Sequence, residues 1–123
     1  MKNTTAAEKE RFEVGSGNVF ADLGLPNPDE DLLKAHLVHA MSGEIRRRKL
    51  TQQRAANLAG ISQPELSRLV NGRWGGFSTD RLLAVVKNLG VDVEITLSSS
   101  VGKGGRGHLR VREGSIIASS PPI

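Results

Sequence analysis

A mainly α fold is predicted, a small helical bundle followed by one β-strand, and three observations predict it. Four segments between residues 27 and 90 repeat apolar side chains at three- and four-residue spacing, and their ends carry helix start and stop residues. A single stretch, "VDVEITL" at 91–97, alternates apolar and polar residues as a strand does. With 37% apolar residues but three Phe and one Trp in 123 positions, the core has to be built from Leu, Val, Ile and Ala, enough for one modest domain.

Taken in order, residues 1–26 are polar and spotted with glycine ("GSGN" among them) and are expected to form a mobile arm. The domain proper is expected over 27–97. "LPNPDEDLLKAH" announces its first helix: Asn27 as cap, Pro28 at the first helical position, where no amide hydrogen is needed, and Glu30 three after the cap to close a capping box. Asp29, Glu30 and Asp31 suit the positive end of that helix and Arg46 to Lys49 its negative end. Leu33, Leu37, Ala40, Met41 and Ile45 form the core-facing stripe, and Ser42-Gly43 is a place where the helix can bend.

"LTQQRAANLAG" predicts a second helix of barely two turns, capped by Thr51 and stopped by Gly60 in the left-handed conformation. Its small Ala55, Ala56 and Ala59 allow close approach of another helix. "ISQPELSRLVNG" predicts the third. Ser62 caps it, Glu65 completes a capping box, and Pro64 lies in the first turn, so the serine oxygen must bond the Glu65 amide because Pro64 has none. Leu66, Leu69 and Val70 point inward. Gln63, Pro64, Ser67, Arg68 and Asn71 are left facing out, and Gly72 ends the helix. "FSTDRLLAVVKNLG" predicts the fourth, capped by Ser78, with Phe77 stapling onto Leu82, a stripe of Leu82, Leu83, Val86 and Leu89, and Gly90 as stop.

The strand at 91–97 has no evident partner in the chain, and a lone strand leaves its ladder groups unpaired. Its cheapest partner is its own copy across a twofold axis, which makes Val91, Val93, Ile95 and Leu97 the expected dimerisation residues. Residues 98–123, rich in serine and glycine, are expected as a flexible basic tail in which "HLRVRE" at 108–113 alternates weakly.

Charge is distributed unevenly. Residues 1–31 hold Lys2, Lys9 and Arg11 against Glu8, Glu10, Glu13, Asp22, Asp29, Glu30 and Asp31, whereas 44–73 hold seven basic side chains against Glu44 and Glu65. A basic middle beside an acidic front suits a polyanion-binding surface with a separate partner-binding arm, or a solvated surface that is merely basic. There is no cysteine, hence no disulfide and no thiolate nucleophile or metal cage. His36 and His39 share a helix face, but the remaining histidine, His108, lies in the tail, so no metal is expected. "GKGGRG" lacks the order of a phosphate-cradling loop, and no nucleophile–base or acid–base carboxylate pair stands out; neither enzyme activity nor a cofactor is expected. The polar start "MKNTTAAEKE" has no apolar leader stretch and "LLAVV" is far too short to span a bilayer, so a soluble, cytoplasmic protein without membrane contact is expected.

Two short helices joined by a Gly-Ile-Ser turn, the second capped and polar outside, fit a helix-turn-helix, whose second helix enters the major groove of duplex DNA with its N-terminal residues leading. Gln63 then stands where an amide reads adenine, Arg68 reaches guanine or a phosphate, Ser67 is short enough to let the helix sit deep, and Pro64 shares the base-reading face with them. Thr51, Gln52, Ser62, Asn71 and Arg73 are the candidates for backbone phosphates. Trp74 is expected as a packed loop anchor. The "RRRK" run at 46–49 has two readings, a helix end compensating its dipole or a further phosphate contact.

"LTQQRAANLAGISQPELSRLVNG" resembles the XRE, phage-repressor-like helix-turn-helix family, which implies a lambda-repressor-like bundle and a homodimer on an inverted-repeat operator. The flanks "GNVFADLGLPNPDEDLLKAHL" and "GRWGGFSTDRLLAVVKNLGVDVEI" resemble HigA-like antitoxins of type II toxin–antitoxin modules. That resemblance implies a repressor of its own operon that neutralises a HigB/RelE-like ribonuclease toxin, for which the acidic arm would suit a basic partner. The alternatives are a stand-alone phage-type repressor without a toxin, and a toxin-sequestering module with little role at DNA.

Overall fold

In the computed structural model, residues 18–99 and 105–114 are described. Most of the expected arm (1–17) and the tail stretches 100–104 and 115–123 lie outside the described residues. The described chain forms α1 (Val19–Asp22), α2 (Pro28–Arg47), α3 (Gln52–Ala59), α4 (Gln63–Val70) and α5 (Thr79–Asn88). α2 and α5 pack on one another and, with α3 and α4, enclose a core whose largest fully buried side chains are Met41, Leu66, Leu69, Leu82, Val85, Val86 and Leu89. It is the aliphatic core that the composition demanded, with Phe77 the one buried aromatic ring among the described residues and Trp74 half-buried at its edge.

The end of the expected arm is folded. Asn18 is the N-cap of α1: its Oδ1 accepts from the amides of Phe20 and Ala21 at 2.9 and 3.1 Å. Its Nδ2 donates to the Pro28 carbonyl at 3.0 Å and to Asp29 Oδ1 at 3.2 Å, joining α1 to the start of α2. The capping box expected at α2 does not form. Asn27 holds the N-cap position without a side-chain capping bond, and Glu30 turns along the helix to pair with Lys34 at 3.3 Å. The i, i+4 pair leaves Lys34 among the buried residues: its aliphatic stem is covered while the ammonium keeps its counter-charge. α2 runs through Ser42-Gly43 unbroken. Leu37 and Met41 of its expected stripe are buried and Leu33 and Ile45 packed against the core, joined by Leu32 and Val38, because α2 is covered on more than one side.

Thr51 and Gly60 bound α3 as the residue types require. Thr51 Oγ1 accepts from the Arg54 amide at 3.1 Å, and Gly60 sits at φ 79° with its amide on the Ala56 carbonyl. A Cβ there would be strained whatever the space. Asn88, at the end of α5, donates to the Ala59 carbonyl at 3.1 Å and closes the C-terminus of α3.

Among the described residues no strand ladder forms. Within the single chain the expected strand at 91–97 has no regular structure, nor does 108–113 pair with it. Val91 packs against the chain's own core, its amide on the Val86 carbonyl, whereas Val93, Ile95 and Leu97 are 37%, 72% and 90% exposed.

The tail differs most from expectation. Residues 105–114 return to α2, where Glu113 spans two histidines: Oε2 lies 2.8 Å from His36 Nδ1 and Oε1 2.7 Å from His39 Nδ1. An ionised carboxylate can only accept, so each ring donates from Nδ1. Burial pushes the Glu113 carboxyl up, but the bonds from His39 and His36 outweigh it and hold the group below the usual carboxylate range. A folded-state value below the unfolded one means that this contribution is complete above the unfolded pKa and is lost as pH falls through the lowered one. Glu113→Gln forfeits the charge and one of the two acceptors. Trypsin cleavage after Arg110 and Arg112 at neutral pH should then accelerate by about tenfold, since hydrogen bonds to charged groups are worth about 1.5–3 kcal/mol, with the thermal melt of the helices unmoved. An unchanged cleavage rate would mean that the contact does not hold the tail.

Candidate nucleic-acid interface

α4 presents a polar outer face because its inner face is saturated. Leu66 and Leu69 are fully buried and Val70 packs beside them, which turns Pro64 and Arg68 to solvent and leaves Gln63 and Ser67 half-exposed. Its N-terminus is closed by the expected box: Ser62 Oγ accepts from the Glu65 amide at 3.1 Å, and Glu65 Oε1 accepts from the Ser62 amide at 3.0 Å. Pro64 occupies the first turn, where a missing amide costs nothing.

Gln63 Nε2 donates to Gln52 Oε1 at 2.7 Å, bridging the first turns of α3 and α4. One amide N–H and the carbonyl of Gln63 remain for a ligand, and the Nε2 of Gln52 is left to donate beside it. The caps Thr51 and Ser62 spend their oxygens on backbone amides but retain O–H donors. Asn71 is more committed: its Nδ2 donates to the Ser67 carbonyl at 2.9 Å, closing the end of α4. Arg54, Arg68 and Arg73 are exposed and have no acidic partner among the described residues, so their field is uncompensated.

Two groups were not anticipated. Arg81, in the first turn of α5, reaches Glu65 Oε2 at 2.9 Å while its guanidinium lies 4.6 Å from the centre of the Phe77 ring. The Ser62 amide first, then Arg81, hold the Glu65 carboxyl below its ordinary range. The four-residue spacing of Phe77 and Arg81 was available as a signal; the bond to Glu65, sixteen residues away, had none. The second is Glu44, which gathers part of the "RRRK" run. Arg47 bonds to it and is raised above its usual value by that bond, while Arg48 Nη1 donates to the Leu89 carbonyl at 2.8 Å and lies 4.0 Å from the same carboxylate. Arg47 and Arg48 are therefore engaged in holding α2 and the end of α5.

Among the described residues no cluster of His, Asp or Glu could hold a metal; the Nδ1 atoms of His36 and His39 are both turned to Glu113. No helix among them is long and apolar enough to cross a membrane.

The short α3, the left-handed turn and the capped α4 with its polar outer face define a helix-turn-helix. The comparisons agree and go one step further. A family model described as "Helix-turn-helix domain" matches residues 19–98, and a solved chain named "Putative XRE Family Transcriptional Regulator" is 34% identical at a TM-score of 0.60 over 76% of this chain and 100% of that one. No curated protein matches. The chain belongs to the helix-turn-helix domain family, in its XRE branch. The matched region takes in both α1 and the 91–98 segment.

Proposed function

We propose that the protein is a sequence-specific, DNA-binding transcriptional regulator that works as a homodimer in the cytoplasm. The observation that carries this reading is the outer face of α4, with Gln63 held in place by Gln52 at the leading end of a rigidly capped helix. In the major groove Gln63 and Arg68 read base edges, while Pro64 and Ser67 keep the helix close. Thr51, Gln52 and Ser62 donate to phosphates from the ends of α3 and α4, and Asn71 and Arg73 do so from the far side. Two copies paired through Val93, Ile95 and Leu97 set their reading helices about 34 Å apart, one helical turn, which calls for an inverted repeat. Selection of duplexes from a randomised pool by the full chain should enrich such a repeat; enrichment of no sequence at all would overturn the reading.

The narrower role is that of antitoxin, repressing its own operon and sequestering a HigB/RelE-like toxin. It is supported by the resemblance of the flanks on either side of the motif. Co-expression with the adjacent reading frame tests it: a stable complex and relief of growth arrest are expected, and failure to co-purify leaves a stand-alone regulator.

A further inference from the structure

We propose that Arg81 is a positioning residue for base reading, one that acts through Glu65 to fix the orientation in which α4 presents Gln63; the proposal rests on the DNA-binding reading above. α4 has only eight residues. Its inner face is held by Leu66 and Leu69, contacts that resist separation but tolerate small rotations. The first turn is fixed by a carboxylate with both oxygens occupied, Oε1 by the Ser62 amide inside α4's own cap and Oε2 by Arg81 from a different helix. Glu65 thus converts a local cap into a tether to α5, two residues from Gln63.

The choice of residue at 81 points the same way. Ser78 Oγ accepts from the Arg81 amide at 3.1 Å, which makes 81 the third position of α5, where Glu or Gln would close a second capping box and where a cation opposes the helix dipole. Arginine is the locally unfavourable choice, and its side chain is spent on α4. Phe77, 2% exposed and packed in the core, supplies the face on which the guanidinium rests, so the tether is held at both ends. Base-edge hydrogen bonds tolerate displacements of only about 0.5 Å before they weaken. A tether one helix removed from the DNA can therefore govern discrimination without touching it.

The test uses the full chain with Arg81→Ala, Arg81→Lys, Glu65→Gln and the Arg81→Ala/Glu65→Gln double variant. The probes are the duplex selected by the wild-type protein and the same duplex with its half-sites scrambled. Arg81→Ala should lower the ratio of the two affinities by about tenfold, the scale of a coupled contact pair. Affinity for the scrambled duplex and its salt dependence should stay at wild-type values, Arg81→Lys should restore part of the ratio, and the double variant should be no worse than the more affected single one. In the free protein, the Glu65 carboxyl followed by carbon NMR should titrate at higher pH in Arg81→Ala. Equal losses on both duplexes with a flatter salt slope would make Arg81 a phosphate contact and overturn the proposal, as would an unchanged ratio. A wild-type chain that selects no duplex would overturn the DNA-binding reading as well. That failure differs from failure of this proposal alone, in which selection succeeds and is indifferent to Arg81.

Discussion

Val93→Pro is expected to yield a monomer by sedimentation whose affinity for an inverted repeat is lower by about two orders of magnitude or more. Proline removes the amide that a ladder across the twofold axis would use. Among the described residues that amide has no partner within the chain, and the side chain is 37% exposed, so the helical core should melt as before. The loss follows from linkage: in the proposed dimer the second half-site would be bound at an effective concentration set by geometry, typically worth about 10²–10⁴ in avidity, and a monomer forgoes it. The exposure pattern motivates the experiment. Val93, Ile95 and Leu97 are apolar side chains that the monomer leaves exposed, and a partner that pairs with the segment would cover them. A dimer that survives the substitution would place the interface elsewhere.

What could be read ahead of the structure was what local chemistry decides. The caps at Thr51, Ser62 and Ser78, the left-handed stop at Gly60 and the inward Leu66 and Leu69 are settled within four residues of themselves, and the structure has each as expected. Asn27 holds the N-cap position as expected, but the capping box was misjudged because two assignments competed for Glu30, back to an amide or forward to the Lys34 ammonium, and the ion pair won. The folded end of the arm was missed because Asn18 caps a helix of only four residues that is stable through its bonds to Pro28 and Asp29. The clasp of Glu113 on His36 and His39 joins positions 77 and 74 residues apart, and no periodicity announces a contact of that kind. The same holds for the candidate interface. Its outward residues were evident from the helical phase, but the Gln52–Gln63 bond and the Arg81 tether are products of helix packing. The segment at 91–97 alternates in sequence, but beyond Val91 its polar and apolar residues are all exposed; a strand is a property of a pair, and one chain supplies a single member.

The central claim is that α4 reads bases through Gln63. A glutamine amide has two N–H donors and a carbonyl; with one donor on Gln52, the remaining donor and the carbonyl match adenine N7 and N6, a pairing worth about 1–3 kcal/mol of discrimination. Alanine removes both groups and releases Gln52 to solvent, which on an exposed surface changes folding stability by no more than about 0.5 kcal/mol. The decisive measurement is the base preference at every position of the selected duplex for the wild-type protein and for Gln63→Ala, taken at one fixed salt concentration. The account predicts that preference collapses at one base pair in each half-site and persists at the others. A uniform drop in affinity, with the profile of preferences intact, would contradict it.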